Sequence, residues 1–291
     1  MTAEAEGTAD PRGYGWAFID LAARGINSWW SYTATLLRVI LLPIGFIALS
    51  FTAIYAAAAR HLLPQSQVPA IVLMTAFASV IVAGLALAWG IERSHRRPWR
   101  SLVSTDLRLD WRRLAIGAGV EGALLGLLVC LSHWVSGQPW PPGPSMAWPA
   151  LTAILLFVPF QAACEEMLFR GYLTQALGRL VRSRIAIALA VGIVFGALHF
   201  NAYGRWTVPY LLVLSLTYSL VSLRDERLEL TIGAHAATNW FGVGAADALQ
   251  TAHGAVELNG LALLGLVANG AVFYAATRLL VRMFCERQAG R

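Results

Sequence analysis

Glu165 and Glu166 stand side by side inside a long apolar run, and Arg170 follows four residues after Glu166. An ionisable side chain within a membrane span costs at least ~2.5–3.5 kcal/mol on insertion scales, so an intramembrane charge marks a functional site by default. His199, His235 and Asn239 lie in other apolar segments of the same half of the chain. A carboxylate acting with a histidine can take a proton from water and pass it to a leaving amine. His235 and Asn239 are four apart, so they project together and can donate hydrogen bonds to a developing oxyanion. Phe195 and His199 repeat that spacing, the ring forming an apolar wall one turn from the imidazole. Glutamate and histidine could equally hold a divalent metal, zinc for example, and lower the pKa of bound water toward ~7. The HExxH pattern that would make zinc the stronger reading is missing, and the residues alone do not decide between the two chemistries. These are the ingredients of a hydrolytic site built inside a bilayer.

The elements that position them must be membrane helices. The chain is 57% hydrophobic and 13% charged, with mean hydropathy +0.60, whereas soluble domains carry roughly 25% charged residues. Eight apolar runs cover 33–59, 69–91, 114–135, 150–178, 185–203, 207–223, 229–247 and 259–281. Each reaches, or nearly reaches, the ~20 residues a spanning helix needs, and barrel strands would be shorter and alternating. The expectation is an all-α polytopic protein with about eight spans. All 22 basic residues are arginine. With alternating spans, 19 of them fall on one side, against Arg60 and Arg205 on the other and Arg170 within a span. The positive-inside rule then puts both termini in the cytoplasm. That distribution also explains the net charge of +6 without nucleic acid as a partner.

Depth supports a common site. Glu165 lies 14 residues before Arg179 and His199 lies 15 after Arg184, which places both ~21–23 Å from the cytoplasmic end of a helical hairpin. His235 and Asn239 fall ~12 and ~18 Å along the seventh span. Glu166 and Arg170 share a helix face and can pair, leaving Glu165 on a neighbouring face.

The chain divides into an N-terminal cytoplasmic or interfacial segment (1–32), three spans with a basic loop at 92–113 (33–149), a catalytic helical core (150–247), and a last span with a basic tail (248–291). Residues 14–32 and 95–113 mix tryptophans with charges and read as amphipathic stretches at the headgroup level. The arginines of 93–113 suit anionic headgroups. Ser136–Pro149 is an uncharged, proline-rich external connection. Glu121 has no basic neighbour in its own span; a place in the same cavity or on a substrate path is the lesser reading beside a structural one. Cys130, Cys164 and Cys285 read as buried thiols with neither disulfide nor metal spacing. His61, His133 and His253 fall near the external face.

Three motifs carry a resemblance. EEMLFR at 165–170 resembles the E-E-x-x-x-R motif of the CAAX-protease and bacteriocin-processing (Abi, Ras-converting-enzyme-like) family of intramembrane proteases. FGALH at 195–199 is similar to its F-x-x-x-H motif and HAATN at 235–239 to its H-x-x-x-N motif, in the family's order. The resemblance covers about residues 150–245. It implies an intramembrane endopeptidase acting on a membrane-anchored protein or peptide, with CAAX-type or bacteriocin-type processing. It also implies that Glu165 and His199 activate water, that His235 and Asn239 form the oxyanion site, and that Glu166 and Arg170 are a supporting ion pair. The composition suggests a bacterial plasma membrane, with the site nearer the cytoplasm. Two rivals are a non-catalytic immunity or partner-binding protein and a proton-coupled transporter. No internal repeat of the kind transporters show is present.

Overall fold

The long apolar runs fold as eight helical segments, seen in a computed structural model that describes residues 13–137, 148–200, 206–251 and 260–286. They are α1 Trp29–Ala59, α2 Val68–Arg93, α3 Trp111–Ser136, α4 Trp148–Glu166, α5 Arg184–Leu198, α6 Thr207–Asp225, α7 Glu229–Thr251 and α8 Gly260–Val281. The described residues contain no strand, only an isolated bridge between Ser104 and Arg227. The proline-rich stretch 138–147, Arg205, His253 and the last residues of the tail lie outside the described residues.

Polar side chains set several helix starts. Ser28 accepts a hydrogen bond from the amide of Ser31 at α1, Asp110 accepts from Arg112 and Arg113 at α3, and Ser183 accepts from Ala186 at α5. Each satisfies backbone N–H groups that the first turn leaves without a partner. Gly137, in the left-handed conformation at φ 63°, stops α3.

Five helices among the described residues are long and apolar enough to cross a membrane: α1, α2 with the turn before it, α3, α6 and α8. They make this an integral membrane protein. The other three hold the candidate site. α5 is apolar but 15 residues long, ending at Leu198 instead of continuing to 203. α7 carries Thr231, His235, Thr238 and Asn239; such a helix is tolerated where neighbours surround it. α4 does not continue as a regular helix to 178. After Glu166 it widens into a π turn, Met167–Leu173, followed by a short helix, Thr174–Leu177. Wide turns of this kind recur at functional sites.

The helices pack in the order α1, α2, α4, α7, α3, α8, α6, α5, so α7 lies between α4 and α3. Glycine lets α7 approach α3. A Cβ at Gly233 would sit 2.1 Å from the Leu114 carbonyl oxygen, and one at Gly117 would sit 2.0 Å from that of Leu230. Packing of small residues is a main source of helix association in lipid, where burial of apolar surface gives no drive. Leu49, Trp134, Leu198 and Leu261 point outward, as lipid contact requires.

The flanking segments differ from the amphipathic reading. Trp16 and Phe18 are buried in the protein, whereas Trp29 and Trp30, stacked on each other, and Trp111 stay exposed. In the 93–113 loop, Arg97 is buried while Arg96, Arg100, Arg108 and Arg112 are exposed. Cys130 is exposed, not buried, because it sits on the outer face of α3; Cys164 is buried against Gly84, and all three cysteines are free.

Candidate active site

Glu165 and Glu166 end the regular part of α4, and the π turn that follows carries Arg170. Glu166 is fully buried and Arg170 is 1% exposed. Nη1 of Arg170 donates to Oε1 of Glu166 at 2.9 Å. Its Nε and Nη2 have no hydrogen-bond partner among the described residues. The guanidinium lies instead over two rings, 4.7 Å from the centroid of Phe195 on α5 and 5.6 Å from that of Tyr218 on α6. Aromatic faces offset part of the desolvation of a buried cation.

α7 brings His235 between the two glutamates. Its Nδ1 is 2.8 Å from Oε1 of Glu166, and its Nε2 is 3.5 Å from Oε2 of Glu165. An ionised carboxylate only accepts, so Nδ1 carries the proton and Nε2 is the nitrogen turned to Glu165. One turn further along α7, Nδ2 of Asn239 donates to Oε1 of Gln161 at 2.8 Å, and Nε2 of Gln161 donates to Oε1 of Glu165 at 2.6 Å. Val158, Ala162 and Ala236 form an apolar layer next to this chain of bonds, with Trp240 packed against it.

His199 stands apart. It caps the C-terminal end of α5 and is half-buried, its Nδ1 2.8 Å from the Phe195 carbonyl oxygen. A carbonyl only accepts, so Nδ1 is the protonated nitrogen and Nε2 is left as a base. The Phe195 ring separates it from the other groups, 4.6 Å from His199 and 6.2 Å from His235 between centroids. Hydrogen bonds join Arg170, Glu166 and His235 in one set and Asn239, Gln161 and Glu165 in another; the two sets meet where Nε2 of His235 approaches Glu165 at 3.5 Å, and His199 reaches them through the Phe195 ring.

A second buried network lies across α7. Oε1 of Glu121 accepts from Nδ2 of Asn269 on α8 at 3.1 Å and from the Thr238 hydroxyl at 3.4 Å. The Thr238 and Tyr218 hydroxyls are 2.9 Å apart. Glu121 therefore finds neutral donors on two other helices and reaches the site only through Thr238 and the ring under Arg170.

The π turn is clamped from the arginine-rich end. Nε2 of His95 is 3.3 Å from the Tyr172 hydroxyl, and Nη1 of Arg97 donates to Gln175 at 2.6 Å. Gly171 fits under the loop, since a Cβ there would lie 2.7 Å from the Leu102 carbonyl oxygen. Burial pulls the His95 imidazole below its ordinary value, with Arg97 acting the same way, and lowers the Arg97 guanidinium to about 10. Alongside, Arg227 reaches Asp106 at 2.6 Å and Glu229 at 2.7 Å. Although burial opposes its ionisation, the bond from Arg227 holds Asp106 below the usual carboxylate range.

These side chains do not fit a resident metal. Glu165, Glu166 and His235 meet, but no three His, Cys, Asp or Glu groups among the described residues are spaced to hold a metal ion, and both nitrogens of His235 are turned to carboxylates. The sequence reading missed Gln161, Tyr218 and Thr238. Gln161, one turn before Glu165 in an apolar run, was the one with a visible signal.

Comparison with known proteins gives the same segment. No solved structure matches the chain. It is 33% identical over 159 residues to the uncharacterized protein YyaK of Bacillus subtilis (strain 168), covering 50% of this chain and 52% of that protein. The chain thus spans about half the length of the curated relative it matches. The model of the family described as type II CAAX prenyl endopeptidase Rce1-like matches residues 146–241. Glu165, Glu166, Arg170, His199, His235 and Asn239 all fall in that stretch, which is similar to the Rce1-like CAAX prenyl endopeptidase family.

Proposed function

We propose that this protein is an intramembrane endopeptidase that hydrolyses a peptide bond of a membrane-associated protein or peptide, using water activated by Glu165. The observation that carries the reading is His235 suspended between two carboxylates, 2.8 Å from Glu166 and 3.5 Å from Glu165. Glu165 takes a proton from water as the oxygen attacks the scissile carbonyl carbon. The C–N bond then breaks and the proton leaves on the amine. Nε2 of His235 is placed to carry it from Glu165, while Glu166, neutralised by Arg170, holds the other nitrogen. This division of labour, a carboxylate orienting an imidazole that moves the proton, is a general acid–base arrangement contributing 10²–10⁴-fold.

His199, with a free Nε2 at the half-exposed edge, is assigned to the water or the leaving group. The hydrogen bonds favour His235 as proton carrier over oxyanion donor, because neither of its nitrogens is turned away from a glutamate. Since the donors around Glu165 do not form a metal site, no step runs through a metal. The arginine asymmetry supports a site nearer the cytoplasmic face of a bacterial plasma membrane, and the exposed arginines of 93–113 suit anionic headgroups.

The test is cleavage of quenched prenylated and lipid-anchored peptides by the purified protein, with and without chelator. Wild type is expected to cut and to survive chelator, and Glu165→Ala and His199→Ala to be inactive. Cleavage that persists in both variants would rule out this site, and loss of activity in chelator would restore a metal to it.

A further inference from the structure

We infer that Asn239 acts on the reaction through Gln161, a further positioning residue whose amide transmits its orientation to Glu165. The inference rests on the proteolytic reading above. Three hydrogen-bonding groups lie in series across the α4–α7 contact: Asn239, Gln161 and Glu165. Their polarity is forced from one end. The Glu165 carboxylate accepts only, so the face of Gln161 toward it must be the NH₂ group; the Gln161 carbonyl then faces Asn239, which must present its own NH₂. No flipped arrangement of either amide keeps both bonds. Gln161 is 4% exposed, so a lost bond there is not replaced by bulk water.

The consequence is geometric. Glu165 can rotate about its terminal torsion, a soft one; among the described residues one hydrogen bond restrains it, from Gln161 to Oε1 at 2.6 Å, while Nε2 of His235 lies 3.5 Å from Oε2. Asn239 holds Gln161 in the rotamer that makes this bond, and α7 thereby sets the Glu165 carboxylate through Asn239 and Gln161. An angular error at a catalytic base lowers turnover without changing substrate binding.

A double-mutant cycle separates this from a direct contact between Asn239 and substrate. If Asn239 works through Gln161, then Gln161→Leu and Asn239→Ala each lower kcat by about 10–100-fold with KM little changed, and the double variant is no worse than the weaker single. If the double variant falls to the product of the two, Asn239 touches the substrate itself and the inference fails; it also fails if Gln161→Leu cuts like wild type. The isosteric Gln161→Glu guards against misfolding and gives a second readout. Protonated, the introduced carboxyl can donate to Glu165 and accept from Asn239; ionised, it repels Glu165. Activity restricted to acid pH in that variant supports the link, and a wild-type pH profile opposes it. Should wild type cleave nothing, the proteolytic reading fails on its own, while the same cycle in melting temperature still tests the link: non-additive losses support it, additive losses sink it.

Discussion

Arg170 is the most heavily committed side chain in the site, with one nitrogen on Glu166 and its plane against two aromatic rings. A buried ion pair adds little net stability, but breaking one leaves a charge stranded. Arg170→Ala is therefore expected to destabilise the protein by about 3–5 kcal/mol, read as a large fall in melting temperature in detergent. Glu165 behaves differently. It is at the edge of the network, held by one amide, with an imidazole 3.5 Å away. Glu165→Gln should keep its melting temperature near that of wild type while losing turnover by two to four orders of magnitude, the scale of a general base. A Glu165→Gln protein that unfolds as readily as Arg170→Ala would show that Glu165 is structural. The two glutamates, adjacent in sequence, are thus expected to part company in stability assays.

Among the elements, α7 matters most, because it faces α4 with His235 and Asn239 and touches α3 through glycine. At Gly233, two residues before His235, an added side chain must push α3 and α7 apart. Gly233→Val is expected to cost about 1–3 kcal/mol of overpacking and to lower activity together with stability. Gly45, whose Cβ would meet nothing, is the control site, and Gly45→Val should change neither. The clamp on the π turn is the second element. His95 has its imidazole pulled down by burial, so below pH ~6.5 the unfolded chain takes up a proton that the folded clamp resists. Stability should be level at neutral pH and decline as pH falls through 6.5 toward the folded value. The imidazole faces the Ile26 carbonyl, the Tyr172 hydroxyl and Arg97; the Ile26 bond favours the charged form, but burial and the Arg97 charge outweigh it. His95→Asn should remove that part of the pH dependence in melting curves, and an unchanged slope would clear His95 of it.

For the molecule as a whole, the arginine count on each side is an orientation prediction that can be checked without any substrate. A reporter active only outside the cytoplasm, fused after Arg291, is expected to stay silent, and the same reporter at His61 to be active. An active C-terminal fusion would mean that the number of crossings is odd or the orientation reversed. Five helices reach spanning length and apolarity, and the even count of eight depends on α4, α5 and α7 crossing as well. α5 is apolar but short, and α4 and α7 carry the site's polar residues, so hydropathy alone is a poor guide to these three. A silent terminus together with an active His61 loop supports crossing in pairs.

How much was legible before folding follows from what each signal depends on. Spans were legible because hydropathy is summed over some twenty residues and lipid leaves only helices available. The Glu166–Arg170 pair was legible because four residues make one turn, and that pairing is seen at 2.9 Å. The rough meeting of α4, α5 and α7 followed from rise per residue and short connections. Tertiary structure decided the rest. Nothing in a periodicity says that α4 widens after Glu166, that His235 slides between two carboxylates, or that His199 stays behind the Phe195 ring. Nor does spacing reveal Gln161 as the link to Asn239, since that depends on the rotation of two helices about their own axes. Rotation and approach are set by which small residues meet, here Gly117 against Leu230 and Gly233 against Leu114. Hydrogen bonds between helices require placement within a few tenths of an ångström, and only the packed bundle supplies that.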